Sequence, residues 1–343
     1  QTTFFTNDTN SPTLLIEGVP KESVMRKVQI NQIGGPEQLE LLDAPPPQWT
    51  ESELLVEVEA AGINYVDVYQ RKGIYPLPLP YTPGLEGVGH IAALGRKVTG
   101  YEVGDRIAWV NGIGSYAEQL VLPAAQAIKI PETFTLNEGL LFQAITAQYL
   151  LAEYRTILPG DTALVHAAAG GVGQLLVQWL KHLGARVIGT VSTDEKAVTV
   201  KQLGADFVIN YAATPFLQEV KRLTDNRGVD VAFDAVGQTT LQDTVEALAS
   251  RGTAVSYGSA SGIPPAIEAF KLIPKAKRLA GASIFAFIED PDELQARSAA
   301  VVDAIQAGWL KIGEATEYSL EQASTAHRDI ESRKTQGKLL LKP

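Results

Sequence analysis

The sequence predicts an α/β protein in which a β-rich catalytic segment and a doubly wound parallel sheet share one chain of 343 residues. Three observations predict it. From Met25 to about Leu122 the chain reads as short strands broken by turns, and from about Asn137 short apolar strands alternate with amphipathic helices. The cluster HAAAGGVGQ, His166 to Gln174, sits where one such strand meets one such helix. Alternating strands and helices are the mark of a parallel sheet with crossover helices. The length suits two domains, each with its own core.

The β-rich part opens on the strand MRKVQI. In LLVEVEAA, Leu54, Val56, Val58 and Ala60 fall on one face and Glu53, Leu55, Glu57 and Glu59 on the other, the period of a strand. Turns are marked by IGGP at Ile33 to Pro36, the prolines Pro45 to Pro47, and the stretch Pro76 to Pro83. The second part offers strands at Thr162 to His166, Arg186 to Thr190, Phe207 to Asn210, Val229 to Asp234, Thr253 to Tyr257 and Ala280 to Phe285. Beyond Trp309 strand-like segments return, and KLLLKP, after a helix-like stretch from Leu320 to Ser332, is expected to rejoin the first half. The expected division is a discontinuous catalytic domain, 25–146 and 309–343, with a nucleotide-binding domain, 147–308, inserted in it. Residues 1–24 form an N-terminal extension without a basic n-region and do not read as a signal peptide.

Composition narrows the function. A hydrophobic fraction of 45%, a charged fraction of 20% and no apolar run near the roughly 18 residues of a membrane span predict a soluble globular protein, and the cytoplasm is the compartment expected from its lack of cysteine. A net charge of -10 disfavours nucleic acid, whose phosphates demand clustered Lys and Arg. Zero cysteines suit a reducing compartment and remove thiolate ligands. His90, His166, His182 and His327 form no ligand pair at helical spacing, so no metal site is expected.

The glycine cluster carries the chemistry. The strand TALVH precedes it, and the helix after it repeats Val172, Leu175, Leu176, Trp179, Leu180 and Leu183 at helical spacing before Gly184 closes it. Set against G-x-G-x-x-G, Ala168 stands at the first glycine, Gly170 at the second and Gly173 at the third, with Gly171 and Val172 between. The second glycine admits a pyrophosphate to the backbone N–H groups of the helix N-terminus, and the third allows close helix packing. A tight turn without ligand would need the same glycines. At the end of the next strand, where an NAD-selective loop carries an acidic residue, stands Val191. Ser192, Thr193 and Lys196 follow and suit the 2′-phosphate of NADPH, with Asp194 and Glu195 as the opposing signal.

With AAGINYVDVYQRKGIYP and PGLEGVGHI ahead of AAAGGVG, the chain resembles the zinc-independent medium-chain dehydrogenases/reductases, and among them the NADPH:quinone oxidoreductases of the zeta-crystallin-like kind. The resemblance covers nearly everything after Met25. It implies a GroES-like catalytic domain plus a Rossmann domain, an active site in the cleft between them and a homodimer. It sets Asn64 and Leu85 where zinc-dependent relatives keep a catalytic Cys and a ligand His, with Glu86 matching the Glu that follows that His. It implies that Lys196, Tyr211 and Arg333 hold the 2′-phosphate, that Thr146 and Gly258 line the nicotinamide pocket, and that Asn64 faces cofactor and substrate. One departure is LAGASIF, where Gly281, Ala282 and Ser283 replace a common Arg-Pro-Ser.

Without a metal, a hydroxyl or amide must stabilise the oxyanion that forms as hydride is delivered. Tyr75 is the first candidate donor and Tyr69 the second, with Asn64 orienting the cofactor; Tyr75, in a proline-rich loop, could equally be packing. The apolar loop GIYPLPLPYTPG favours a small hydrophobic quinone or α,β-unsaturated carbonyl over a coenzyme A or carrier-protein thioester, which would want a basic rim. An enoyl-thioester reductase, and a non-catalytic NADPH-binding crystallin-like or RNA-binding protein, are the alternatives.

Overall fold

The computed structural model describes residues 24–343, so all of the N-terminal extension but Val24 lies outside the described residues. A short antiparallel pair, β1 (Met25–Gln29) and β2 (Glu40–Ala44), leads into β3 (Glu53–Ile63), α1 (Tyr65–Arg71), β4 (Glu86–Leu94), β5 (Arg106–Trp109), β6 (Gln119–Pro123) and β7 (Ile128–Lys129). The alternating face of β3 is buried as its pattern requires, with Leu54, Val56 and Ala60 inaccessible. Leu55 is buried too, at the point where the pairing of β3 with β4 shifts register between Leu55 and Val56; β6 pairs with the amino end of β3.

After α2 (Leu136–Gly139) and α3 (Phe142–Glu153) come β8 (Thr162–Val165), α4 (Gly171–His182), β9 (Arg186–Val191), α5 (Asp194–Gln202), β10 (Phe207–Asn210), α6 (Phe216–Leu223), β11 (Val229–Asp234), α7 (Leu241–Glu246), β12 (Leu248–Ser256) and β13 (Arg278–Gly281). The six strands order as β10-β9-β8-β11-β12-β13, all parallel. The order reverses beside β8, which opens a crevice at the carboxyl ends of β8 and β11 where doubly wound sheets take ligands. Five of the six expected strands lie where the sequence sets them, the fifth with a longer amino end. The sixth, expected at Ala280 to Phe285, runs instead from Arg278 to Gly281, and Ile284–Phe287 turns as a 3-10 helix. Phe285 and Phe287 pack on the core from that turn, which satisfies the same apolar run without extending the strand.

α8 (Pro291–Gln306) leads to β14 (Ala315–Ser319), α9 (Ala323–Ser332) and β15 (Lys338–Lys342). β15 pairs antiparallel with β3, so the carboxyl-terminal strand rejoins the first sheet, whose order is β14-β15-β3-β4-β5-β7 with β6 on β3. The expected change of domain after Thr146 falls inside the continuous helix α3. One apolar cluster includes Ala60, Val88 and Ala108 of the first sheet, Leu150 of α3 and Val165 and Val231 of the second, so the two sheets share a core. No helix among the described residues is long and apolar enough to cross a membrane.

Candidate active site in the interdomain cleft

Between the sheets lies a cleft of about 320 Å³. Its floor is the glycine loop. Gly170 caps α4 in extended backbone and bridges the backbone of Gly337, and no side chain of the described residues caps the first N–H groups of that helix, which leaves the start of α4 able to receive an anion. A Cβ on Gly171 would run into the Gln143 side chain, whereas one on Gly173 would overlap Ala167 O and stand 2.8 Å from Ala168 Cα. Gly173 therefore serves close packing of helix on loop.

Ala168, set at the first glycine by sequence, does not line the cleft. It is buried beneath the loop, 2.9 Å from where a Cβ on Gly189 would stand, and the left-handed residue is its neighbour Ala167, φ 50°. The loop turns one residue earlier than a glycine count suggests. Ala167 and Ala169 line the cleft with Gly170, Gly171, Val172 and Gly173.

At the carboxyl ends of β9 and β10, Ser192, Lys196 and Tyr211 line one end of the same cleft. Tyr211 N donates to Val191 O at 3.0 Å, which fixes the tyrosine beside the loop. Lys196 is buried, its ammonium donates to Arg333 O at 2.6 Å, and burial lowers its pKa. It makes no ion pair with a carboxylate of the described residues. Asp194 is turned to Asn210, accepting from Nδ2 at 2.8 Å, and neither it nor Glu195 lines the cleft. Arg333 caps α9 in the left-handed region, φ 60°, and its guanidinium donates across the cleft to Ala260 O at 3.0 Å. Thus the Arg333 carbonyl, and not its guanidinium, meets Lys196.

The opposite wall is α1. Helical spacing puts Tyr65 and Tyr69 on one face, toward the cleft, while Asp67, Val68 and Arg71 are buried behind. Tyr65 OH donates to Ala260 O at 3.2 Å, and Tyr69 OH accepts from Ser259 N at 2.8 Å, leaving its own hydrogen to donate. Burial pushes the Tyr69 phenol up to about 12. Tyr75 also lines the cleft, half exposed and edge-on to Tyr69 at 5.4 Å, but its hydroxyl has no hydrogen-bond partner among the described residues. Thr146, Asn64 and Gly258 complete this region: Thr146 Oγ1 donates to Phe142 O at 2.7 Å, and Gly258 lies where a Cβ would be 2.9 Å from Ala235 O. Ala282, Ser283, Ile284 and Phe285 form a wall with one hydroxyl and no cation, and Gly281 is not part of it.

Sequence reasoning passed over Tyr65, although its spacing of four from Tyr69 was the signal. It also passed over Lys338, which abuts Glu86 behind Asn64. A lysine opening an apolar strand looks like an ordinary flank.

A β-rich sheet shared by both chain ends, with a parallel six-stranded sheet inserted and a glycine-loop cleft between, is the architecture of the medium-chain dehydrogenases/reductases. Two family models match it: an alcohol dehydrogenase GroES-like domain over residues 50–132 and a zinc-binding dehydrogenase over 171–300. A quinone oxidoreductase of Pseudomonas aeruginosa is 35% identical over 93% of this chain and 99% of its own. A 2-haloacrylate reductase of Burkholderia sp is 34% identical over 92% of this chain and 98% of its own. The crystal structure of Escherichia coli quinone oxidoreductase complexed with NADPH superposes with a TM-score of 0.89 at 34% identity, covering 93% of this chain and all of that one. The chain belongs to the quinone oxidoreductase, zeta-crystallin-like family of that superfamily.

The zinc of the second family model's name does not fit these residues. Cysteine is absent from the sequence, Leu85 has no donor atom, and Glu86 is engaged by Lys338 and Asn64. Among the described residues no group of three His, Cys, Asp or Glu side chains could hold a metal ion.

Proposed function

We propose that the protein is an NADPH-dependent reductase of quinones and related α,β-unsaturated carbonyl compounds, working by metal-free hydride transfer. One observation carries the cofactor: a buried lysine ammonium with no carboxylate partner faces the same cleft as an open helix N-terminus. A charge in that position wants an anion. The backbone N–H groups at Gly171 to Gly173 suit the pyrophosphate. Lys196, Ser192 and Tyr211 suit the 2′-phosphate, and Arg333 suits it once its guanidinium leaves Ala260. Thr146 and Gly258 bound the nicotinamide place.

When bound, the dihydronicotinamide supplies a hydride. The chain's part is to hold an electrophile in a largely apolar pocket and to stabilise the oxygen on which charge develops. Tyr69 is the donor we favour over Tyr75, because Ser259 N already fixes its hydroxyl while its hydrogen remains free. Asn64 offers an amide beside it. Both quinones and 2-haloacrylates take hydride at a conjugated carbon, so the relatives' names agree with one chemistry.

The experiment is a titration of NADPH and NADH into the wild type and Lys196→Ala, followed by turnover assays with quinones, enones and 2-enoyl thioesters. NADPH should bind at least about tenfold tighter, a difference of about 1.4 kcal/mol, and the substitution should erase the preference. Equal binding of NADH removes the cofactor reading, and turnover confined to thioesters removes the substrate class.

We further propose a cytoplasmic homodimer joined at β13. That strand ends the parallel sheet and leaves one row of backbone groups unpaired. Sedimentation should then give twice the 36.8 kDa chain mass.

A further inference from the structure

Behind Asn64 lies a buried ion pair. The strands β15, β3 and β4 run side by side, and the register sets Gly62 between Leu340 and Glu86. Lys338 Nζ touches Glu86 Oε2, with side chains 5% and 0% exposed. A Cβ on Gly62 would overlap Glu86 Oε2 and stand 2.8 Å from Lys338 Cε, so the glycine provides the space in which the two charges meet. Glu86 Oε1 accepts from Phe142 N at 2.8 Å, which ties the pair to the start of α3, the helix that carries Thr146.

Burying two charges costs about as much as their attraction returns, and well-packed apolar residues often do as well. The pair's effect on Asn64 is more specific than stability. Asn64 Nδ2 donates to Glu86 Oε2 at 2.8 Å, and Asn64 Oδ1 accepts from Lys338 Nζ at 3.2 Å. Turning the amide over would set its NH2 against an ammonium and its oxygen against a carboxylate. One orientation is therefore enforced. An amide nitrogen carries two hydrogens and only one is used here. Asn64 lines the cleft while Glu86 and Lys338 do not.

We propose that Lys338, acting with Glu86, is a positioning residue that locks the Asn64 amide, so that its second N–H is presented to the oxygen that gains charge during reduction. The consequence for catalysis rests on the reductase reading, whereas the lock is a property of the chain alone.

Two measurements test it. With asparagine labelled by ¹⁵N, the Asn64 side-chain amide is identified by its loss in Asn64→Ala, and its hydrogen exchange is followed in wild type and Lys338→Met. The lock predicts exchange faster by about tenfold or more in the variant. In turnover, Lys338→Met should lower kcat by about ten- to a hundredfold while the Kd for NADPH, set at the far end by Lys196, changes by less than about twofold. In an Asn64→Ala background the same substitution should have no further effect on kcat. Equal loss in both backgrounds, or unchanged Asn64 exchange, overturns the proposal. If Lys338→Met fails to fold, the Lys338→Met/Glu86→Gln pair, which removes both charges together, takes its place with the same expectations. If no quinone, enone or 2-enoyl thioester is turned over, the reductase reading falls and the exchange measurement alone decides the lock.

Discussion

Tyr116 joins two buried titratable groups whose burial acts in opposite directions. Its hydroxyl donates to Asp67 Oδ2 at 3.0 Å and lies 3.1 Å from His327 Nε2. Burial raises Asp67 to about 7, against hydrogen bonds from Asn64 N and Tyr116, and burial lowers His327 to about 3, with Arg71 adding to the effect. An unfolded Asp titrates near ~3.9 and an unfolded His near ~6.5. Folded Asp67 thus holds its proton more tightly than the unfolded chain does, so its contribution is full below about pH 4 and is lost as pH rises to about 7. Folded His327 holds its proton less tightly, so its contribution is full above about pH 6.5 and is lost as pH falls toward about 3. Between about pH 4 and 6.5 the two slopes oppose each other. Asp67→Asn keeps a carbonyl oxygen to accept from Asn64 N but removes one slope. Relative to wild type, the variant should gain stability steadily from about pH 4 to 7 and no further above that. Urea midpoints across pH 4.5 to 8 check it, using roughly those limits from the two titrations. A difference that does not vary with pH would show that Asp67 titrates normally.

The helix α4 and its loop set two neighbouring glycines apart. A Cβ on Gly173 meets backbone, Ala167 O and Ala168 Cα, which cannot swing aside, whereas one on Gly171 meets the end of the Gln143 side chain, which can. Gly173→Ala should cost about 1–3 kcal/mol in denaturant titrations, the usual range for overpacking. Gly171→Ala should leave the midpoint nearly unchanged and weaken NADPH at least about tenfold by intruding on the helix N-terminus. The reverse pattern would mean the pyrophosphate does not sit there. This contrast also shows what the sequence could tell. Strand, loop and helix were legible because the short apolar strand TALVH gives way to a 3.6-residue period after HAAAGGVGQ, and Val191 was legible as a non-acidic strand end. The turn at Ala167 was not, because no glycine marks it and the left-handed backbone is borne by an alanine. β13 was misplaced because the run Ala280 to Phe285 is apolar at every position but Gly281 and Ser283, and periodicity cannot separate a strand from a buried turn there. Lys338 and Glu86, 252 residues apart, meet only through the pairing of β15 and β4 with β3, which no local pattern encodes.

At the scale of the molecule each sheet has an apolar cluster of its own, Leu54, Val56 and Ile107 in one and Leu164, Ile188 and Ala232 in the other, and a third cluster spans both. Ala60, Leu85, Val88 and Ala108 belong to the same buried cluster as Ile145, Leu176 and Val231. Tyr65, Tyr69 and Arg333 add three hydrogen bonds across the cleft, all to Ser259 and Ala260. Chains of this length often unfold in stages, domain by domain. Here the shared cluster should make the sheets unfold together. Tryptophans lie on both sides: Trp109 in β5 is inaccessible, and Trp179 in α4 stands edge-on to Trp309 at 5.2 Å. A variant keeping only Trp109 and another keeping only Trp179, the rest changed to Phe, should report one urea midpoint. A ligand that binds only the folded cleft adds about 2.7 kcal/mol at a hundred times its Kd. Because its floor belongs to one sheet and its tyrosine wall to the other, NADPH should move both reporters by the same amount. If the Trp179 midpoint alone rises with NADPH, the cofactor is held by the parallel-sheet domain without the wall of α1, and the hydrogen bonds to Ser259 and Ala260 do not couple the two.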